Sequence, residues 1–122
     1  MDRLRKFRKS FLHAARGLKY VLIHEKNFQN ELAISFLVVI AMVYFDIRRS
    51  EIVALFLVIA GVLVMELMNT VVERMVDILK PRIHPYAKLI KDLMAAGVLL
   101  ASLLSVIIGI VIFLPYIMKK FF

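Results

Sequence analysis

The chain has 122 residues, of which 62% are hydrophobic, and its mean hydropathy is +0.85. A soluble domain of this length needs far fewer apolar residues for its core, so we expect an integral membrane protein. Each crossing takes about 20 helical residues, which leaves room for three spans and one short helix but not for a separate soluble catalytic domain. The chain has no cysteine, which excludes disulfides and cysteine metal sites, and its formal charge is +8. Basic residues beside membrane spans set topology and contact anionic lipid head groups, so we do not expect nucleic acid as a partner.

The amino-terminal segment, residues 3–23, combines apolar and basic residues at helical spacing. Apolar side chains follow one face of the predicted helix, among them Leu4, Phe7 and Phe11, and arginines and lysines occupy most of the remaining surface. This pattern predicts an amphipathic helix that lies on the membrane surface. The segment lacks the apolar run of a secretory signal, so we expect it to be retained.

Two apolar runs predict the first two membrane spans. The run "LAISFLVVIAMVYF" is short for a crossing, so we expect Glu31 and Asn27 to lie on the same helix, and we place the span at 30–46. The run "IVALFLVIAGVLVM" opens the second predicted span, at 51–79.

A proline-containing connection follows, and then the third predicted span. Pro81 and Pro85 remove backbone donors, so we expect the second helix to end there in a tight polar connection. The third span is predicted at 86–118, and small residues recur along it at every fourth position: Gly97, Ala101, Ser105 and Gly109. Small residues at this spacing allow another helix to pack closely. The whole chain, 1–122, is thus predicted to form one membrane domain.

Lysines and arginines are distributed unevenly along this topology. Eight precede the first span, five lie between the second and third, and four lie on the other side. Because positive loops stay inside, we expect the amino terminus and the 74–92 connection to be cytoplasmic and the carboxyl end to be outside.

Four polar side chains interrupt the end of the second span: Glu66, Asn69, Glu73 and Asp77. At about 100° per residue they fall within an arc of roughly 80°, so they share one face of the helix. A carboxylate next to an unbroken apolar run, as at Glu66, costs roughly 2–3 kcal/mol to insert, and such residues usually mark a functional site. The alternative is that these acids are the solvated end of the span and form ion pairs with Arg74, Lys80 or Lys91, and it weighs most for Asp77, which lies where the helix meets water.

These residue types fit phosphoryl transfer. Carboxylates at a membrane surface can bind a divalent cation, and a second acid can act as a general base. Lys91 and Asp92 add a cation for phosphate oxygens and another acid, and Glu25 and Glu31 add acids before the first span. Mg²⁺, a lysine and a base are components of kinase chemistry, with ATP arriving from water and a lipid hydroxyl from the interface. Neither G-x-x-x-x-G-K-[ST] nor G-x-G-x-x-G is present, which excludes an ordinary soluble-kinase fold.

Two other classes of function also use acids near a membrane. A small oligomeric transporter would use Glu66 and Glu73 as a proton or cation relay. A relay needs polar groups through the full thickness, whereas the outer halves of the three predicted spans offer only serines and glycines. A structural assembly subunit would not need Lys91 and Asp92 beside the acids. An ATP-dependent lipid kinase is therefore our leading hypothesis.

The stretch "ELMNTVVERMVD" at 66–77 resembles the E-x-x-N-[ST]-x-x-E-x-x-x-D helix of the prokaryotic diacylglycerol kinase and undecaprenol kinase family. Other matching segments extend the resemblance over almost the whole chain: "SFLHAARGL" at 10–18, "HEKNFQNE" at 24–31, "HPYAKLIKD" at 84–92 and "IIGIVIFLP" at 107–115. The "HPYAK" connection, the Asn69-Thr70 pair and the "FLP" ending are more similar to the undecaprenol kinases of Gram-positive bacteria than to the Gram-negative diacylglycerol enzymes.

The resemblance implies an all-α integral membrane protein with three transmembrane helices and an amino-terminal surface helix, assembled as a homotrimer with active sites at subunit boundaries. It implies transfer of the γ-phosphate of MgATP to a lipid alcohol in the bacterial inner membrane, with undecaprenol favoured and diacylglycerol as the alternative. In the roles that the resemblance implies, Glu66 is the catalytic base and Asn69 orients the catalytic groups. Glu25 and Glu73 are the Mg²⁺ ligands, and Lys91, Asp77 and Asp92 belong to the nucleotide site. Glu31 and the amino-terminal basic residues receive no firm role.

Overall fold

The computed structural model describes all 122 residues, nearly all of them helical. The first helix, α1, spans Asp2–His24, one residue beyond the predicted surface helix at each end. Apart from Val21 its side chains are exposed, and Leu4, Phe7 and Phe11 are among the most exposed apolar residues of the chain. α1 therefore presents an uncovered apolar face bordered by basic residues, as expected for a helix that lies on a membrane surface.

A single extended residue, Glu25, separates α1 from the second helix, at φ −106° and ψ 106°. The side chain of Gln29 stabilises this junction, because its Nε2 donates to the carbonyl oxygens of Leu22 at 2.7 Å and Ile23 at 3.3 Å. Those carbonyls belong to the last turn of α1 and have no helical partner of their own. Gln29 thus fixes where α1 ends and how the chain turns into the next helix.

The second helix, α2, spans Lys26–Phe45 and begins four residues earlier than the predicted span at 30–46. Asn27 and Glu31 lie on it, as the shortness of the apolar run predicts. α2 ends at Asp46, which adopts the left-handed conformation at φ 49° and donates its backbone N–H to the carbonyl of Val43 at 3.3 Å. A short polar side chain tolerates this conformation better than a branched one, so Asp46 can terminate the helix without a glycine.

The third helix, α3, spans Arg49–Phe121 and contains one residue outside the helical region, Ile83, at φ −112° and ψ 18°. The break at Ile83 lies between Pro81 and Pro85, so the helix is interrupted where these prolines predict, but by a single residue and not by a separate polar connection. Pro85 falls in the first turn after Ile83, where a backbone N–H has no helical acceptor, and its fixed φ suits that position. The chain therefore bends sharply at Ile83 without forming a loop.

Contacts between distant residues show that the bend turns α3 back on itself. We call residues 49–82 the first limb and 84–121 the second limb. Tyr116 donates its hydroxyl to the carboxylate of Glu51 near the open ends, and Lys91 Nζ lies 2.7 Å from Asp77 Oδ1 near Ile83. The two limbs are antiparallel, and each extends a few residues beyond the spans predicted at 51–79 and 86–118.

The hydrophobic core lies at the end of the molecule farthest from Ile83. Its buried members come from α2, the α2–α3 turn and both limbs: Met42, Ile47, Leu55 and Ile112. Most other large apolar side chains are exposed, and α2 and α3 are both long and apolar enough to cross a membrane. The fold therefore leaves a large apolar surface exposed and reserves the opposite end of the first limb for polar residues.

We expect Tyr116→Phe to loosen the open end of the two limbs. The change removes the hydroxyl that donates to Glu51 and leaves the ring in place. Losing one hydrogen bond to a carboxylate at a solvated helix end should lower the melting temperature in micelles by about 2–4 °C. Tyr44→Phe is the matched control, because the ring of Tyr44, not its hydroxyl, contacts Lys120 Nζ at 3.8 Å. Equal melting temperatures for Tyr116→Phe and the unmodified protein would contradict this role.

Candidate functional site

The four polar residues of the first limb become more exposed toward Ile83. Glu66 is buried, with 6% of its surface exposed. Asn69 and Glu73 are half-buried and joined by a hydrogen bond from Asn69 Nδ2 to Glu73 Oε1 at 3.2 Å. Asp77 is exposed. The row that the sequence predicts on one face thus runs from a buried acid to a solvated one.

Glu66 has no cationic partner and forms no side-chain hydrogen bond, and the charges that act most strongly on it are those of Glu31, Glu73 and Glu25. Its backbone carbonyl accepts a 3.1 Å hydrogen bond from Thr70 Oγ1, one turn further along the helix. Glu31 of α2, Glu73 of the first limb and Glu25 at the α1–α2 junction therefore lie near Glu66, and we call these four residues the carboxylate cluster. Burying a carboxylate among like charges is unfavourable unless a cation or a proton compensates it.

Glu25 is the member of the carboxylate cluster that already has a counter-ion. Arg74 Nη2 lies 2.6 Å from Glu25 Oε1, which joins the first limb of α3 to the junction between α1 and α2. The sequence offers Arg74 only as a partner for the acids of its own helix, and Glu25 is not among them. The signal for another role was present, since Arg74 directly follows Glu73 within a row of acids.

Of the three cations considered as partners for Asp77, the structure selects Lys91. The 2.7 Å contact between them crosses from one limb to the other and closes the hairpin near its bend. Asp92 instead lies 3.5 Å from Lys88 on its own limb, and both side chains are largely exposed. The Asp77–Lys91 pair therefore borders the carboxylate cluster on the side of the bend, and Asp92 makes no contact with the cluster.

No group of three or more histidine, aspartate or glutamate side chains is arranged to hold a metal ion. Glu25 and Glu73 supply two carboxylates, and Glu73 is also oriented by Asn69. Mg²⁺ in kinase sites takes one or two protein carboxylates and completes its octahedron with nucleotide phosphates and water. The donor set thus fits a metal ion that arrives with a nucleotide better than a permanently bound one.

A hydrophobic groove of about 330 Å³ runs between α2 and the two limbs of α3. Leu55 and Val62 line it from the first limb, Ser105 and Gly109 from the second, and Glu31 is its charged residue. Val62 precedes Glu66 by one helical turn, so the groove ends next to the carboxylate cluster. Its size and lining suit part of a long apolar chain.

An all-helical chain with two long apolar helices and a buried carboxylate, Glu66, at the end of a hydrophobic groove is a membrane protein with a polar site. Residues 12–113 match the family described as prokaryotic diacylglycerol kinase. The chain is 39% identical over 114 residues to an undecaprenol kinase from Bacillus subtilis (strain 168), covering 93% of each chain. It is 32% identical over 107 residues to a diacylglycerol kinase from Synechocystis sp., covering 87% of this chain and 61% of the other. No solved structure matches the chain significantly.

The chain therefore belongs to the prokaryotic diacylglycerol kinase family. Membership makes it an enzyme, a lipid kinase, and confirms the resemblance of the 66–77 helix to this family. The transporter alternative has no support from these relatives, which are both named as kinases.

Proposed function

We propose that this protein transfers the γ-phosphate of MgATP to the hydroxyl group of a membrane lipid alcohol, with undecaprenol as the favoured acceptor. The observation that carries the proposal is the position of Glu66, a buried carboxylate without a cation that lies where the hydrophobic groove meets the carboxylate cluster. A lipid chain in the groove would bring its hydroxyl to Glu66, and the solvated end of the acid row would face the nucleotide.

The depth of the acids supports a meeting point at the membrane surface. Glu66 lies 15 residues after Glu51, or about 22 Å along the axis of the first limb. A hydrocarbon layer of about 30 Å that begins near Glu51 would place Glu66 within its far edge. Asp77 lies about 39 Å from Glu51 along the same axis, beyond the layer. A hydrophobic acceptor and a water-soluble donor can both reach the segment between these two acids.

The proposed roles follow this gradient. Glu66 takes the proton from the lipid hydroxyl while the hydroxyl oxygen attacks the γ-phosphorus of ATP. The bond between that phosphorus and the β,γ-bridging oxygen breaks, and ADP leaves. Asn69 holds Glu73 through the 3.2 Å hydrogen bond. Glu25 and Glu73 would hold Mg²⁺, which supplies charge neutralisation on the transferred phosphate. Lys91 and Asp77 form the nucleotide side of the site, and Asp92 would help organise it from the neighbouring turn.

Undecaprenol is favoured over diacylglycerol by the extent of the similarity. The relative named undecaprenol kinase matches this chain over 93% of both lengths at 39% identity, whereas the relative named diacylglycerol kinase matches at 32%. Diacylglycerol remains the alternative acceptor within the same family.

The location and assembly of the protein complete the proposal. The excess of lysine and arginine in the amino-terminal segment and near the bend supports a cytoplasmic position for both, with the carboxyl terminus outside the inner membrane of a bacterium. We propose a homotrimer, which is consistent with the many exposed apolar side chains of α2 and α3. Native mass spectrometry from a mild detergent tests the subunit number directly.

The experiment that tests the function supplies the purified protein in lipid nanodiscs with Mg²⁺ and γ-labelled ATP. Undecaprenol, diacylglycerol and ceramide are offered in parallel, and label is measured in the extracted lipid phosphates. We expect transfer to undecaprenol to be fastest. Faster transfer to diacylglycerol would reverse the assignment of the acceptor, and absence of transfer to all three would overturn the lipid-alcohol proposal.

Filling the hydrophobic groove should impair long acceptors selectively. Gly109 lines the groove, and no neighbouring atom lies within 4 Å of a Cβ placed there, so Gly109→Leu would occupy free space. We expect KM for undecaprenol to rise about tenfold, and KM for a short-chain analogue to change little, because the loss corresponds to about two buried CH₂ groups. Gly61→Leu is the matched control, since Gly61 is equally unhindered and does not line the groove. An equal effect of Gly109→Leu on short and long acceptors would exclude this groove as the lipid site.

A further inference from the structure

Arg74 forms an ion pair with Glu25, the carboxylate that the proposed function assigns to Mg²⁺. Its Nη2 lies 2.6 Å from Glu25 Oε1, a short charge-assisted contact between residues 49 positions apart in the chain. The Glu25 side chain is 18% exposed and that of Arg74 is 48% exposed. The ion pair is thus largely shielded on the glutamate side and open to water on the arginine side.

The same oxygen cannot satisfy a guanidinium and a divalent cation equally well. Glu25 is proposed as a ligand of Mg²⁺ together with Glu73, the residue that precedes Arg74. Two cations close to one carboxylate repel each other, so binding of either at Glu25 weakens binding of the other. Because the guanidinium is half exposed, it can move into water while the metal compensates the shielded carboxylate of Glu25.

The junction around Glu25 does not depend on Arg74 alone. Gln29 holds the last carbonyls of α1, and the backbone N–H of Glu25 donates to the carbonyl of Val21 at 2.9 Å. Arg74 can therefore release Glu25 while α1 and α2 keep their ends. The released guanidinium, next to Glu73, presents paired donors of the kind that match phosphate oxygens.

We propose that Arg74 is an exchangeable counter-ion: it neutralises Glu25 in the metal-free protein, yields Glu25 to the divalent metal, and then pairs with phosphate oxygens of the nucleotide. This inference rests on the proposed function, because it takes Glu25 as a metal ligand. It makes Arg74 a residue that couples metal binding to nucleotide binding.

Metal binding alone tests the first half of the exchange. Mn²⁺ is titrated into the purified protein without nucleotide or lipid, and free Mn²⁺ is measured by electron paramagnetic resonance. We expect Arg74→Gln to bind Mn²⁺ about fivefold more tightly, because the guanidinium that competes for Glu25 is gone. Arg74→Lys should have nearly the Mn²⁺ affinity of the unmodified protein. Arg82→Gln is the matched control, since it removes the same charge from α3 at an exposed position outside the three ion pairs.

A double substitution shows whether the effect passes through Glu25. Glu25→Gln should weaken Mn²⁺ binding, and adding Arg74→Gln to it should cause no further change, because the carboxylate for which the two cations compete is absent. Continued tightening by Arg74→Gln in the Glu25→Gln background would overturn the exchange, since Arg74 would then act by general repulsion.

Nucleotide binding tests the second half. We expect Arg74→Gln to weaken binding of a non-hydrolysable MgATP analogue about tenfold, and Arg74→Lys to restore part of the loss. The opposite directions for metal and nucleotide separate exchange from a purely structural role, which would weaken both. Circular dichroism checks that each variant keeps its helix content.

Two results would overturn the inference. The first is Mn²⁺ binding by Arg74→Gln that is weaker than or equal to that of the unmodified protein, or absent from every variant. The second is unchanged nucleotide binding by Arg74→Gln. Lipid phosphorylation is scored separately. If Mn²⁺ and nucleotide respond as expected while no lipid is phosphorylated, the acceptor proposal fails and the counter-ion exchange stands.

Discussion

Glu66→Gln is expected to lower kcat for lipid phosphorylation by about 10²–10⁴-fold, which corresponds to roughly 2.7–5.5 kcal/mol in activation free energy. The amide keeps the shape of the side chain but cannot take up the proton of the lipid hydroxyl. KM for the lipid should change little, because the hydrophobic groove is intact. The measurement is a steady-state assay in nanodiscs with γ-labelled ATP and undecaprenol.

The same substitution should leave the melting temperature unchanged or raise it, since it removes a buried carboxylate that has no cationic partner. Activity and stability therefore move apart, which distinguishes a catalytic acid from one that supports the fold. Glu51→Gln is the matched control: it makes the same change on the same helix, and its amide oxygen can still accept from Tyr116. Full activity of Glu66→Gln, or an equal loss in Glu51→Gln, would exclude Glu66 as the base.

Local pattern in the sequence predicts the helical fold and the acid row, because both depend on periodicity along one element. The apolar runs indicate long helices, and the spacing of Glu66, Asn69 and Glu73 places them on one face. The bend is different. The two prolines predict an interruption of the helix, and the structure has a single non-helical residue, Ile83, between them. Nothing in the sequence distinguishes such a one-residue break from a short loop.

Pairings between segments lie outside what a single sequence can specify. Asp77 had three plausible cations, and only the antiparallel arrangement of the limbs selects Lys91. The partner of Arg74 is Glu25, which lies 49 residues away at a junction whose geometry depends on α1 and α2, so the neighbours of Arg74 in the chain do not reveal it. The place of Glu31 beside Glu66 likewise follows from helix packing, not from its neighbours in the chain.

Glu73→Gln should raise the Mg²⁺ concentration needed for half-maximal activity by about tenfold or more, with part of kcat recovered at saturating Mg²⁺. A neutral amide is a much poorer ligand for a hard cation than a carboxylate. The substitution keeps an oxygen that can accept from Asn69 Nδ2, so the 3.2 Å hydrogen bond and the orientation of the side chain need not be lost. The change therefore removes charge with little change in shape.

Glu66→Gln supplies the comparison, since both substitutions make the same chemical change on the same face of the helix, about two turns apart. If Glu66 is the base and Glu73 the metal ligand, Mg²⁺ titrations of the two variants should differ in shape: the Glu66→Gln curve keeps the midpoint of the unmodified protein at a greatly reduced maximum, whereas the Glu73→Gln curve shifts to higher Mg²⁺. Equal midpoints would mean that the two carboxylates share one function. Because Glu66 is the buried acid and Glu73 the half-exposed one, the division of roles depends on depth: the metal arrives with the nucleotide from water, and the proton comes from a hydroxyl held in lipid.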